Sequence, residues 1–270
     1  MKKGLESYTN NQVASFRIFF TFLFFTPFLF KRIRKINKKN ILSLILVGVI
    51  GNGIPAYLFT KAQTQIDSSL AGILNSLTPL FTLIIGLIFY KSHFKLVNIL
   101  GLVLGFLGAV GLIFQESTTG FKIETSGYAF FVVAATLCYG ISVNEIKHKL
   151  ADLDALSIAS LSFMIIGPFA GLNLLLSDLQ SSFATPDAMK NLFFIVILSL
   201  FSSVIAVVLF NVLIKYTTAI FASSVTYIIP VFAMLWGLFD GENILLTEIL
   251  WILVILIGVS LVNKKKLIDV

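Results

Sequence analysis

Apolar stretches of about 20 residues follow one another along almost the whole chain, separated by short polar breaks. An α-helix of that length crosses the roughly 30 Å hydrocarbon core of a bilayer. Continuous apolar runs such as Ile41 to Ile50 lack the two-residue alternation of a membrane β-strand, so helices are predicted. The predicted spans are residues 13–30, 41–60, 68–89, 96–115, 127–145, 155–177, 191–214, 217–239 and 243–262.

Composition excludes an ordinary soluble domain. Hydrophobic residues make up 57% of the chain and charged residues only 12%, whereas soluble domains average about 45–50% and 25%. The sequence therefore predicts an all-α, polytopic helix bundle in a lipid bilayer. The loops between the spans are short, so any activity is expected within or between the helices.

The basic residues predict the orientation of the chain. Lys and Arg accumulate in alternate loops, most densely at 31–39 and again at 264–266. Basic loops stay on the cytoplasmic side, which predicts a multi-pass protein of the cell membrane (inner or plasma) with a cytoplasmic C-terminus. The cluster at 31–39 is expected to contact anionic lipid. Nucleic acid is not predicted as a partner, because no soluble basic module is present.

An internal repeat relates the two halves. Residues 67–86 and 218–237 align without a gap at an offset of 151, and Pro79 then matches Pro230. The two segments belong to the third and eighth spans. Because they lie five spans apart, they run in opposite directions, which predicts inverted repeats of the kind found in alternating-access transporters.

The repeat also predicts how the chain is divided. Spans one to four pair with spans six to nine, which leaves the fifth without a partner. We therefore expect a ten-helix architecture of five plus five in which the first helix would lie before Met1; a genuine nine-helix protein is the alternative. The expected units are 1–115 (four spans), 127–262 (five spans) and a cytoplasmic basic tail at 263–270.

The sequence resembles the EamA-type branch of the drug/metabolite transporter superfamily. The resemblance is carried by Arg17, by the stretch Ala62 to Pro79 with the glycine-rich segment Gly101 to Gly111, and by the second copy at Ala222 to Pro230. It implies ten helices in two inverted repeats, a central cavity, and export or exchange of small metabolites such as amino acids. The chain departs from the pattern at Lys91-Ser92, where a Glu is common.

Polar residues within the spans are the candidates for a substrate cavity, because polar groups inside a bilayer need partners, water or substrate. Their amides and hydroxyls can donate or accept hydrogen bonds, which suits a small polar or zwitterionic solute. Interhelical hydrogen bonding is the alternative role for each. The candidates are Asn52, Tyr57, Asn75, Thr78, Tyr139, Ser142, Asn211, Thr226 and Tyr227.

Prolines and acidic groups complete the predicted machinery. Pro79 and Pro230 occupy equivalent repeat positions and are predicted as hinges, with a static kink as the alternative. Glu145 and Asp67 are the candidates for proton coupling at the cavity mouth. Arg17 and Glu145 are charged residues close to the ends of their spans, so their side chains are expected to reach the membrane interface.

Other function classes are disfavoured. An intramembrane enzyme needs a nucleophile with a base, or a metal site, at membrane depth. Neither can be assembled from two loop histidines and a single cysteine, so no catalytic residue, metal or cofactor is predicted. A non-transporting scaffold or an inactive truncated carrier remains an alternative. The GxxxG spacings of Gly101/Gly105 and Gly167/Gly171 suit a homodimer or packing within the chain.

Overall fold

The apolar stretches are helical in the computed structural model, which describes residues 1–66, 68–92, 95–116, 126–229, 232 and 246–262. The α-helices are α1 (Lys2–Leu5), α2 (Asn10–Arg32), α3 (Ile41–Leu46), α4 (Ile54–Ala62), α5 (Ser68–Asn75), α6 (Thr78–Tyr90), α7 (Leu96–Glu116), α8 (Ser126–Lys149), α9 (Ala155–Leu176), α10 (Leu179–Phe183), α11 (Ala188–Leu198), α12 (Ala206–Tyr216), α13 (Ala219–Ser224) and α14 (Leu246–Val262).

Among the described residues, five helical segments are long and apolar enough to cross a membrane, namely Asn10–Lys35, Ile41–Ala62, Gly127–Lys149, Ala155–Leu176 and Ala188–Tyr216. Shorter apolar helices occupy Thr78–Tyr90, Leu96–Gly111, Ala219–Ile228 and Ile249–Val262. Each predicted span overlaps one of these segments, and the prediction of a polytopic helical membrane bundle is confirmed. The number of crossings stays a prediction.

In this bundle large apolar side chains face outward and small polar side chains are buried, as expected for a protein in lipid. Large apolar side chains such as Phe30 and Leu175 lie on the outer surface with 77% and 81% of their area exposed. Small polar side chains such as Ser15, Thr82 and Ser160 are fully buried. Small hydroxyl residues let helices approach closely and hydrogen-bond where lipid offers no partner.

Two long helices contain a π-helical segment at matching positions. The first, π1 (Val47–Gly53), joins α3 to α4, and the second, π2 (Ser199–Ile205), joins α11 to α12. The two segments are related by an offset of 152, close to the offset of the internal repeat. π-Helices are rare and occur frequently at functional sites. Their paired occurrence is consistent with two structurally related halves.

Glycines let π1 approach its neighbours. A Cβ on Gly51 would lie 2.2 Å from Ser142 Oγ on α8, and one on Gly48 would lie 2.8 Å from the Ser162 carbonyl oxygen on α9. The Asn52 side chain donates a 3.0 Å hydrogen bond to the Val47 carbonyl within the same segment. Glycine at these positions therefore lets the π1 backbone pack directly against α8 and α9, because no side chain lies between them.

Three of the four helix pairs that the predicted repeat makes equivalent pack against each other among the described residues. α2 lies along α9, α7 along α14, and α6 contacts α13. Both GxxxG pairs serve these contacts: a Cβ on Gly101 would lie 2.7 Å from the Gly258 carbonyl oxygen, and one on Gly167 would lie 2.3 Å from Phe22 Cβ. These glycines are therefore used for packing within the chain, and the prediction of a homodimer stays untested.

The predicted hinge at Pro79 lies at a helix break. α5 ends at Asn75 and α6 begins at Thr78, which places buried Pro79 in the first turn of α6, where a missing N–H costs nothing. In the second half a 3₁₀ segment, Val225–Ile228, follows α13 at the corresponding position. Pro230 and Asp67 lie outside the described residues.

Candidate functional site

A cavity of about 540 Å³ lies between helices from both halves of the chain. Its wall is built by α2, π1, α4 and the break between α5 and α6 in the first half, and by α8, α9, π2, α12 and the 3₁₀ segment in the second. The polar side chains on its wall are Arg17, Asn52, Asn75, Thr78, Tyr139, Ser142, Ser202, Ser203, Asn211 and Thr226.

Seven of the nine side chains predicted for a substrate cavity line this one: Asn52, Asn75, Thr78, Tyr139, Ser142, Asn211 and Thr226. They come from six helical segments, with Tyr139 and Ser142 both on α8, and are gathered by the packing of both halves. The remaining wall is apolar, with Ile18, Val143 and Phe163 among its members. A mostly apolar wall with a few polar groups is typical of a small-molecule site.

The two other predicted residues, Tyr57 and Tyr227, do not line the cavity. The Tyr57 hydroxyl lies 2.8 Å from Ser15 Oγ and ties α4 to α2. Tyr227 is fully buried and donates a 3.1 Å hydrogen bond to the Leu102 carbonyl oxygen on α7. Both hydroxyls serve interhelical bonding, which was the alternative role for each candidate.

Arg17 lies in the cavity wall, contrary to the expectation that its side chain reaches the interface. It is half-buried on α2, and its Nε donates a 2.8 Å hydrogen bond to Ser203 Oγ on π2. The sequence reading also missed Ser202 and Ser203. Two sequence features could have identified these residues. Arg17 is a lone cation inside an apolar span, and Ser202 and Ser203 form a hydroxyl pair in the seventh span, which the repeat pairs with the second.

Glu145 lies on α8 away from the cavity wall. Its Oε1 accepts a 2.5 Å hydrogen bond from Ser43, and its Oε2 accepts one from Tyr90. With only 9% of its area exposed, the side chain is buried between helices, contrary to the expectation of an interfacial group. The rings of Tyr90 and His148 stack beside it with centroids 4.9 Å apart.

A solute-sized cavity between helices from both halves of a membrane bundle is typical of a membrane transport protein. The sequence profile of the EamA-like transporter family matches residues 1–114 and 126–264, so the chain belongs to that family. The predicted family is thereby confirmed, as is the prediction of a transporter rather than an enzyme.

Two relatives carry names of the same kind. The chain is 26% identical over 136 residues to the uncharacterized transporter YdfC of Bacillus subtilis, which covers 50% of this chain and 44% of that protein. It is 23% identical over 238 residues to an uncharacterized transporter in the trpA 3′ region of Buchnera aphidicola, covering 87% and 71%. The matched segment therefore spans less than half the length of YdfC.

The fold also matches a solved structure titled only as the crystal structure of a protein. The TM-score is 0.71 at 14% identity, and the match covers 96% of this chain and 89% of the other. At this identity the similarity concerns the fold alone.

Proposed function

We propose that this transporter moves small polar metabolites such as amino acids through the cavity by alternating access, in the direction of export or as exchange. The observation that carries the proposal is the convergence of seven predicted polar side chains from both halves on one cavity of about 540 Å³. That volume lies within the range of small-molecule sites, about 300–1,000 Å³. It accommodates a single small metabolite.

The chemistry of the wall favours a polar solute with an apolar portion. Asn52, Asn75 and Asn211 supply amides, and Thr78, Ser142 and Thr226 supply hydroxyls. Such groups orient a solute by hydrogen bonds, while the apolar wall receives its side chain. An amino acid combines both parts.

Deviations from regular α-helix border the cavity on both sides, which supports alternating access. π1 and π2 contribute Asn52 and Ser203, and the break before Pro79 contributes Asn75 and Thr78. Rearrangement of such segments lets one half move against the other around a central site. Pro79 and Pro230 are proposed as the hinge positions, with units 1–115 and 127–262 as the moving halves.

The proposed setting is the cell membrane, with the basic loops and the C-terminus on the cytoplasmic side. Single-cysteine variants in a background lacking Cys138, labelled from outside intact cells, test this orientation. A cysteine at Lys38 should stay unlabelled and one at Lys190 should react. The reverse pattern would invert the proposed topology.

Flux in proteoliposomes tests the function. We expect uptake or counterflow of at least one member of a labelled amino-acid panel, and a weakened apparent affinity in Asn75→Ala. Ser76→Ala is the matched control, because Ser76 is adjacent, buried and bonded to Gly72 without lining the cavity. Absence of flux across the panel would favour the alternative of a non-transporting scaffold or an inactive carrier.

A further inference from the structure

Arg17 has an unusual position for a cation in a membrane protein. It is the eighth residue of α2, which places it about 10 Å along the helix axis, and its side chain lines the cavity. A guanidinium has five N–H donors and stays charged at all physiological pH values. One donor, Nε–H, is used by Ser203.

The two terminal nitrogens of Arg17 have no hydrogen-bond acceptor among the residues that the structure describes. The described side chains on the cavity wall also include no Asp or Glu. An unpaired cation in a low-dielectric cavity is costly, and charges at membrane depth normally find a counter-charge. The geometry therefore leaves a positive site that none of the described residues neutralises.

We propose that Arg17 binds the carboxylate of the transported solute and that Ser203 positions the guanidinium for this contact, so that the transporter selects carboxylate-bearing metabolites. The inference rests on the proposed function, since it concerns the same cavity. With Nε held by Ser203, the terminal Nη1 and Nη2 groups present the paired donors that match the two oxygens of a carboxylate.

A single cation favours a carboxylate over a phosphate. Arg17 is the one ionisable cation among the described residues of the cavity wall. One positive charge neutralises a monocarboxylate, whereas a phosphate monoester at pH 7 carries a charge of about −1.5 to −2 and would remain partly unpaired. Inorganic phosphate and simple carboxylates are consequently distinguishable in a competition experiment.

Neutral acceptors elsewhere on the wall suit the ammonium group of a zwitterion. The amide nitrogens of Asn52 and Asn211 donate to the carbonyl oxygens of Val47 at 3.0 Å and Ala155 at 3.4 Å. This orients the amide groups and leaves their side-chain oxygens as acceptors. An amino acid with its carboxylate on Arg17 would therefore meet no second fixed positive charge among the described wall residues.

The test compares carboxylates with their amides. Inhibition of labelled amino-acid flux is measured with L-leucine, L-phenylalanine and L-glutamine, with the corresponding α-carboxamides, and with inorganic phosphate. We expect the acids to compete at least about 30-fold better than the amides, as expected for loss of a buried charged hydrogen-bond partner. Arg17→Gln should abolish this preference, and Arg17→Lys should retain part of it.

The positioning role of Ser203 has its own matched control. Ser203→Ala should reduce the acid-over-amide preference severalfold, whereas Ser199→Ala should leave it unchanged, because Ser199 lies on the same π segment, donates to the Ile195 carbonyl oxygen and does not line the cavity. Melting temperatures in detergent, with and without L-leucine, check that the variants are folded. If Ser203 had a purely structural role, Ser203→Ala would lower the melting temperature without changing the acid-over-amide preference.

The outcomes separate this inference from the proposed function. Flux in the wild type with equal competition by acids and amides would overturn the Arg17 assignment and leave the transport proposal standing. Stronger competition by phosphate would overturn the choice of carboxylate. No flux and no ligand-induced stabilisation with any compound would count against both proposals.

Discussion

The hydroxyl of Ser43 donates a 2.5 Å hydrogen bond to Oε1 of Glu145, which joins α3 to α8 inside the bundle. Tyr90, at the end of α6, donates to the other carboxylate oxygen and stacks on His148. A carboxylate held by neutral donors from two other helices responds to protonation by losing acceptor capacity. Proton binding would therefore loosen the contact of α8 with α3 and α6.

The first prediction concerns proton coupling through Glu145. If Glu145 couples transport to protons, Glu145→Gln flattens the dependence of flux on pH, because an amide cannot titrate and offers only one acceptor oxygen. Tyr90→Phe is the comparison variant, since it removes one donor and keeps the carboxylate. Flux that retains its wild-type pH profile in both Glu145→Gln and Asp67→Asn would exclude the two predicted coupling residues.

The second prediction concerns the start of α9. Asp154 caps this helix by accepting a 2.9 Å hydrogen bond from the Ser157 backbone N–H, and it accepts a 2.5 Å bond from Lys35 Nζ. Asp154→Ala should lower the free energy of unfolding by about 1 kcal/mol through loss of the cap. Asp154→Asn should lose less of the cap contribution, because Asn is an equally good N-cap residue. Equal melting temperatures for Asp154→Ala and Asp154→Asn would contradict this account.

Asp154 also predicts a dependence of stability on pH. Partial burial opposes its ionisation, but hydrogen bonds from Lys35 and Ser157 outweigh that effect and hold the pKa of Asp154 well below its ordinary value of 3.8. A lowered folded-state pKa contributes stability that is present above pH 3.8 and is lost as the pH falls through the folded-state pKa. The melting temperature should therefore fall less steeply below pH 4 in Asp154→Asn than in the wild type.

The third prediction concerns the close contact of α7 with α14. A Cβ on Gly258 would lie 2.5 Å from the Gly105 backbone nitrogen, and backbone atoms cannot move aside locally. Gly258→Ala should lower the free energy of unfolding by about 1–3 kcal/mol through overpacking. Gly127→Ala is the control, because nothing lies within 4 Å of its Cβ; there Ala should be neutral or stabilising by about 0.5–1 kcal/mol. Reversible unfolding in mixed micelles measures both.

The fourth prediction applies one chemical change to two tyrosines. Tyr227→Phe should lower the free energy of unfolding by about 1 kcal/mol and leave apparent substrate affinity unchanged, because the buried Leu102 carbonyl loses its donor. Tyr139→Phe should change apparent affinity with little effect on stability, because Tyr139 lines the cavity. If Tyr227→Phe instead changed apparent affinity and Tyr139→Phe changed only stability, the substrate would contact the protein at residues other than Tyr139.

Helix positions were accessible from sequence because lipid imposes a simple local requirement. A segment that crosses the bilayer must be long, apolar and internally hydrogen-bonded, and each of these properties is visible in about 20 consecutive residues. A hinge or kink was predicted at Pro79, but the end of α5 before it and the two π segments were not, because local backbone deviations depend on neighbours such as Ser142 and Ser162.

The sequence by itself determined the class of protein, the helical spans, the repeat and most of the polar residues that reach the cavity, because hydropathy and residue type act locally. Only the tertiary structure decided which polar groups share one space. Arg17 and Ser203 are 186 residues apart yet bond across the cavity wall, while Tyr227 lies against α7 beside Thr226, which faces the cavity. Such choices depend on the rotation and packing of whole helices, which no single apolar stretch specifies.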